Sequence, residues 1–235
     1  MTGPVLAVIP ARGGSRGIPR KNLVPLAGRP LLAWTIAAAR EARGVDRVVV
    51  SSDDPEILAA ARAHGAEPLR RPAALATDAA RSEPVLRHAV DAACPGAGTL
   101  CLLQPTSPLR TGAHVDGALS LLSEDREAEA VVSVFEPAHS PFKAFQLDGG
   151  GYLVGVVDGD APFRPRQELP ATFFPNGAIY AVRAEAFRET GSLLGRGRAL
   201  PYVMTRGDSL DIDDWDDLRR AEDRLVGKLP TRPAA

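Results

Sequence analysis

The chain has 235 residues, 45% hydrophobic and 5% aromatic, enough for one large α/β domain with a largely aliphatic core. A formal net charge of −1 excludes the broad basic face that nucleic-acid binding needs. Cys94 and Cys101 stand outside metal or redox spacings and no apolar run approaches membrane-spanning length, so inert thiols in a reducing cytoplasm, with no secretory leader and no membrane anchor, are expected.

The first element is a buried strand at Val5–Ile9, emptying into a loop with Gly13, Gly14 and Gly17 among Arg12, Arg16, Arg20 and Lys21. Glycines let backbone amides approach a ligand, and clustered amides with cations cradle a polyanion. The loop matches neither the P-loop nor the dinucleotide fingerprint. Pro30 opens a helix over Leu31–Ala42, with Gly44 just past its end. A strand at Arg47–Ser51 precedes a helix capped by Asp54, opened by Pro55 and ending at His64; His64 reads as a helix-end residue beside the dipole. A short strand covers Glu67–Leu69, and Ser82 caps a helix running to Ala93. Leu100–Leu103 is a strand, Thr111 caps a helix to Ser123, and Ala130–Phe135 is a strand.

Strands alternating with helices predict a mainly parallel sheet covered on both faces. The rhythm breaks between Glu136 and Pro170, a segment stiff with prolines and too apolar for a disordered linker. It reads as an extended arm or small β appendage that packs on a second subunit. Strands return at Gly177–Val182 and Leu200–Met204, a last helix runs over Asp214–Val226, and the tail from Lys228 frays. The expected organisation is a single domain over 1–235, with 136–170 as its arm.

Polar groups follow the strands at the first loop, Ser51–Asp54, Gln104–Arg110 and Asp208–Asp214. In open parallel sheets, ligands bind beyond the carboxyl ends of strands, so these loops should converge on one crevice. Asp211 and Asp213 flank Ile212, and in extended backbone both carboxylates share a face, which suits Mg²⁺ held together with substrate phosphates. Asp213 reads equally as the cap of the last helix, whose first turn holds Asp214, Asp216 and Asp217. Gln104 is either a ligand amide or a loop amide bonding its own backbone; Arg110 is either an anion ligand or a member of a structural ion pair.

Residues Ile9–Asn22, Arg71–Asp78, Leu103–Arg110, Phe174–Tyr180 and Asp208–Asp213 together resemble the acylneuraminate cytidylyltransferases, in that family's order and over almost the whole chain. The resemblance implies a Rossmann-like nucleotidyltransferase fold, a homodimer, and reaction of CTP with an anionic small-molecule acceptor, an α-keto sugar acid, releasing pyrophosphate. It puts Arg12, Ser15, Lys21 and Asn22 on the CTP phosphates beside the Gly13 backbone. It puts Arg71 and Ser82 on the cytidine, and Mg²⁺ on Asp211 and Asp213. Gln104, Lys143, Arg166 and Tyr180 fall on the acceptor, with the arm partly donated by the other subunit. Lys21, Arg12 and Asp211 would carry the chemistry. Where sialic-acid enzymes often carry an aromatic pair, this chain has Ser192, Leu193 and Leu194. Other nonulosonic or 3-deoxy sugar acids therefore stay open as acceptors, as does a phosphonate. The rival of another class is a non-catalytic nucleotide-binding dimer.

Overall fold

A computed structural model describes residues 3–15, 17–77 and 79–228. Arg16 of the first loop, Asp78 of the second motif and the tail from 229 onward lie outside the described residues. The elements in chain order are β1 (Val5–Pro10), β2 (Pro25–Leu26), β3 (Arg29–Pro30), α1 (Leu31–Glu41), β4 (Arg47–Ser52), α2 (Pro55–Ala63), β5 (Glu67–Arg70), α3 (Ser82–Ala93), β6 (Thr99–Leu102), α4 (Gly112–Glu124), β7 (Ala130–Phe135), β8 (Phe145–Leu147), β9 (Leu153–Gly155), β10 (Phe174–Arg183), α5 (Ala184–Thr190), β11 (Ala199–Val203) and α6 (Trp215–Lys228).

Side-chain alternation in β1 sets the layers. Val5, Ala7 and Ile9 join one core and Leu6 and Val8 the other, all buried, so this strand must be covered on both faces. Ile36 and Ala39 of α1, Ile57 of α2 and Val115 and Leu119 of α4 cover the first face. Leu86 and Val90 of α3 and Phe187 of α5 cover the second. Among the described residues one sheet runs β11-β7-β10-β6-β1-β4-β5. Its pairs are parallel except that β10 lies antiparallel between β6 and β7. The expected α/β class therefore holds, with one reversed strand near the middle. Among the described residues no helix is long and apolar enough to cross a membrane.

Local chemistry ends the helices where the sequence places their signals. The Asp54 carboxylate accepts from the amides of Glu56 and Ile57, and Thr111 and His114 form a reciprocal capping box. Ser82 is a correction: Arg81 holds the N-cap position and Ser82 is the first helical residue, with no side-chain cap bond at this end. Pro30 likewise stands at the N-cap of α1 rather than inside it. Helix α5 has seven residues, too few for a helical period to register in the sequence.

The reversal of β10 is organised around Asn176. Its register shifts between Pro175 and Tyr180, and Gly177 there has φ +72, a left-handed conformation that glycine adopts without strain. Buried Asn176 replaces the missing ladder bonds. Its Oδ1 accepts from the Ser133 hydroxyl at 2.5 Å and the Ala178 amide at 3.1 Å, and its Nδ2 donates to Ser209 Oγ at 2.9 Å. Asn176→Ala strands these buried partners, so unfolding in denaturant should show a loss of ~1–3 kcal/mol. An unchanged midpoint would mean that water satisfies them.

Between β7 and β10 the chain leaves the sheet. The β8–β9 hairpin carries Leu147, Tyr152 and Leu153, and Phe163 follows, all strongly exposed. This is the small β appendage that the sequence predicts.

Candidate functional site

The loops after β1, β4 and β6 leave from one edge of the sheet because those strands run parallel, and the start of β10 meets them there because it runs the other way. The loops after β1 and β6, with Arg71 after β5, the start of α3 and the segment before α6, enclose a polar crevice of about 340 Å³ lined by Arg12, Gly14, Ser15, Lys21, Asn22, Arg71, Arg81, Ser82, Gln104, Thr106, Asp211 and Asp213; Ser51–Asp54, expected to join them, does not line it. A second cavity of about 640 Å³ opens beside it and shares Arg81, Ser82 and Gln104. The second is larger, but titratable and cationic side chains gather in the first.

The first loop is held from below. Ile18 is fully buried with Ile212, Leu31, Leu109 and Leu218 in a separate apolar cluster under α6. That cluster binds the loop to the Asp211–Asp213 segment across the crevice. Lys21 Nζ spans them, donating to the Ile212 carbonyl at 2.7 Å and lying 3.5 Å from Asp213 Oδ1. Gly17 sits so close to Asp213 that a Cβ on it would overlap the Asp213 carbonyl oxygen.

Several loop residues have structural partners instead of an open face. The Gly13 amide donates to Asp53 Oδ1 at 3.1 Å, and Gly13 is not among the residues lining the crevice, whereas Gly14 is. Arg20 turns away, donating to Glu56 at 2.9 Å and Asp54 at 3.0 Å; the bond to Glu56 holds its pKa up. Asn22 is buried and its Nδ2 donates to the Arg12 carbonyl at 2.9 Å, bracing the loop from within the lining. Arg12 and Lys21 are the loop cations facing the crevice among the described residues.

Arg71 is buried, with Nη2 donating to the Ser51 carbonyl at 2.9 Å and Nη1 to Leu75 at 3.2 Å. Its Nε has no protein partner. Burial lowers its pKa, Asp53 opposes that and Arg12 adds to it. Arg110 is buried and forms no ion pair among the described residues. It donates to the carbonyls of Gln104 and Ala178 at 3.2 and 2.9 Å, and burial pulls its pKa down to about 10. It thereby fastens the Gln104 backbone to β10 and leaves the Gln104 side chain at the junction of the two cavities. Nearby Cys101 is equally inert, its thiol pushed up to about 12 by burial.

The aspartate loop separates two roles. Asp214 caps α6, its Oδ1 accepting from the amides of Asp216 and Asp217 at 2.9 Å each. Asp213 is thus released from capping and stands with Asp211 in the crevice, on either side of buried Ile212. Loss of hydration between the walls raises the Asp211 pKa. A bond from Thr106 opposes this, the Asp213 charge reinforces it, Lys21 opposes it and Asp217 reinforces it. Among the described residues no three His, Cys, Asp or Glu side chains gather as a metal cage. The pair fits a hard cation that completes its coordination with ligand oxygens, and a cation would relieve the repulsion between the two carboxylates.

Tyr180 lines the larger cavity, its pKa raised by burial and then by the charges of Asp211 and Glu83. Lys143 and Arg166 do not reach either space within their own chain. Lys143 Nζ donates to the Pro162 and Arg164 carbonyls at 3.3 and 2.7 Å, and Arg166 donates to Ala138 at 2.6 Å, by a separate cavity with Arg206 and Met204. Two polar side chains lining the crevice lie outside the sequence-derived set. Thr106 sits in a polar loop after β6 that the sequence marks, whereas Arg81 carries no signal until the fold brings the N-terminus of α3 to the crevice.

The sequence profile of a family described as cytidylyltransferase matches residues 6–149. The chain is 34% identical over 221 residues to an N-acylneuraminate cytidylyltransferase of Escherichia coli, covering 94% of this chain and 52% of that protein. A Streptococcus agalactiae protein of the same name is 34% identical over 214 residues, covering 90% of this chain and 51% of that protein. The chain thus spans about half the length of these curated relatives. A Campylobacter coli protein, post-translational flagellin modification protein B, is 26% identical and covers 93% of both chains. Among solved structures, CMP:2-keto-3-deoxy-manno-octonic acid synthetase, complexed with CTP, superposes with a TM-score of 0.71 at 19% identity, covering 97% of this chain and 100% of that one. A 4-diphosphocytidyl-2C-methyl-D-erythritol synthase from Anaerococcus prevotii superposes at 0.67 with 12% identity, covering 95% and 99%. These likenesses establish the Rossmann-like nucleotidyltransferase fold.

Proposed function

The chain belongs to the cytidylyltransferase family, and on that premise we propose that it transfers CMP from CTP to an acidic acceptor, a sialic-acid-like nonulosonic acid, releasing pyrophosphate. The observation that carries the reading is one crevice in which Arg12, Ser15 and Lys21 face Asp211 and Asp213, with Gln104 leading into a second, sugar-sized space. The names of the curated relatives support the acceptor class.

In this reading the acceptor hydroxyl oxygen bonds to the α-phosphorus, the bond from that phosphorus to the oxygen bridging it to the β-phosphorus breaks, pyrophosphate leaves with the bridging oxygen, and the hydroxyl proton passes to solvent. Such a transfer needs little covalent chemistry from the protein; positioning and charge neutralisation supply the rate. Arg12, Lys21 and the Gly14–Ser15 backbone hold the phosphates, and Asn22 keeps that backbone in place. Lys21, tied to the Ile212 carbonyl, is oriented in advance for charge developing on the leaving group. Arg71 and Ser82 face the base, where Arg71 Nε is a donor still to be matched. Gln104 and Tyr180 meet the acceptor. Mg²⁺, held by Asp211 and Asp213, would neutralise phosphate charge. Free buried Cys94 and Cys101 suit a reducing cytoplasm.

Pyrophosphate release from each of the four nucleotides, with a nonulosonic acid as acceptor, tests the reading. CTP is expected to dominate. Equal use of UTP, or release with a phosphonate but no sugar acid, would overturn it.

The arm supports a homodimer. Leu147, Tyr152, Leu153 and Phe163 form an apolar surface that water disfavours. In the dimer, Lys143 and Arg166 would face the partner's acceptor space, Arg166 gripping a carboxylate through its planar fork. Light scattering should give a dimer, and Leu153→Asp with Phe163→Asp a monomer with little acceptor turnover. A fully active monomer would remove the arm from the site.

A further inference from the structure

The two adjoining spaces differ in chemistry as well as size. The crevice is lined by cations and carboxylates; the larger cavity is walled by Val132, Val134, Leu193, Leu194 and Leu200. Leu194 is 48% exposed there, although a leucine gains from leaving water. The turn presenting it is tightly tied. Ser192 N donates to Thr190 Oγ1 at 3.1 Å, Leu194 N to Ser192 Oγ at 3.1 Å, and Arg196 N to Glu129 Oε2 at 2.6 Å. At the mouth, Arg81 is engaged by Glu83 at 2.9 Å. Gln104 and Tyr180 line the cavity on the side toward the crevice, whereas beside the leucines the turn presents one hydroxyl, Ser192, whose oxygen already accepts from the Leu194 amide.

We propose that the preferred acceptor carries an acyl substituent longer than acetyl, seated against Leu193 and Leu194, and that these two residues set acceptor choice. This rests on the CMP-transfer reading. An acceptor with its hydroxyl group in the crevice and its polar edge on Gln104 projects its next substituent into this cavity, because the two spaces adjoin at their shared residues Arg81, Ser82 and Gln104. A rigid aliphatic wall rewards each added methylene and costs little to order on binding.

The test compares two nonulosonic acids that differ only in N-acetyl against N-butanoyl, each with CTP. Two further buried methylenes should raise kcat/KM roughly tenfold for the butanoyl acid. Leu193→Ser with Leu194→Ser should bring that ratio to about one without changing KM for CTP. Leu194→Ser alone, at a half-exposed position, should lower the ratio even if the double variant folds poorly. Turnover of the acetyl acid with equal or weaker use of the butanoyl acid overturns the inference and leaves CMP transfer standing. No turnover of either acid overturns both.

Discussion

Asp211→Asn is expected to lower turnover by ~100-fold or more, the scale of losing one preorganised electrostatic contact to a reacting phosphate, while Tm stays at or above that of the unaltered protein. The two effects share one cause. The Asp211 carboxyl has lost hydration between the crevice walls, and the charge of Asp213 adds to the cost of ionising it. Its folded pKa therefore lies above its unfolded value, so ionisation costs more in the fold than in the open chain. Stability falls as pH rises from the unfolded value through the folded one and stays lower above it. Asparagine removes that cost and still accepts a bond from Thr106, but it gives up the charge a cation needs. The same shift moves the acid limb of cation binding upward in pH, because only the ionised pair binds a cation. Thermal melts and pH–rate profiles check both statements. A large fall in Tm with turnover preserved would make Asp211 a structural residue.

Gly17→Ala should lower turnover by ~10–100-fold through displacement of the aspartate loop, since misplacement of about 1 Å is enough for losses of that size. A Cβ at position 17 meets the main-chain oxygen of Asp213 and, unlike the end of a flexible side chain, that atom has nowhere cheap to move. Ile18 on one side and Ile212 on the other are fully buried in the cluster under α6, so neither loop yields independently. The strain should cost ~1–3 kcal/mol of stability as well. Gly14→Ala is the control. A Cβ at position 14 meets open space, so Tm should hold, and any loss should appear as a raised nucleotide KM. Equal kinetic damage from the two variants, or none from Gly17→Ala, would show that the contact with Asp213 does not position the site.

The order of strands and helices was legible in the sequence because it rests on local signals. The apolar run Val5–Ile9, the cap at Asp54 and the cap at Thr111 each act within a few residues, and each holds in the structure. The convergence of three of the four polar groups was legible too, since parallel strands deliver their following loops to one edge; Ser51–Asp54 instead braces Gly13 and caps α2. The sequence could also pair Asp211 with Asp213, because a spacing of two is enough. What it left undivided was whether Asp213 caps the last helix, with Asp214 inside the first turn, or faces a ligand. Asp213 and Asp214 are chemically alike, and only the direction in which the chain enters α6 gives Asp214 the amides and Asp213 the crevice.

Other roles depended on contacts between residues more than thirty apart in sequence, which no local pattern encodes. Gln104 and Arg110 were ambiguous until β10 arrived antiparallel beside β6 and offered the Ala178 carbonyl; the guanidinium then became a buried brace and the amide a cavity wall. Arg20 and Gly13 read as parts of a phosphate cradle because charge and flexibility are visible in sequence. The acids that occupy them, Asp53, Asp54 and Glu56, come from the segment after the neighbouring strand β4. Composition marked the arm as apolar and out of rhythm, and folding leaves its apolar side chains facing solvent because β8 and β9 pair only with each other. Sequence determined the kinds of chemistry available at the strand ends, since these follow from residue type and short spacing. Tertiary structure decided which groups are already satisfied by the protein and which remain for a ligand, because that depends on partners brought together only by the sheet.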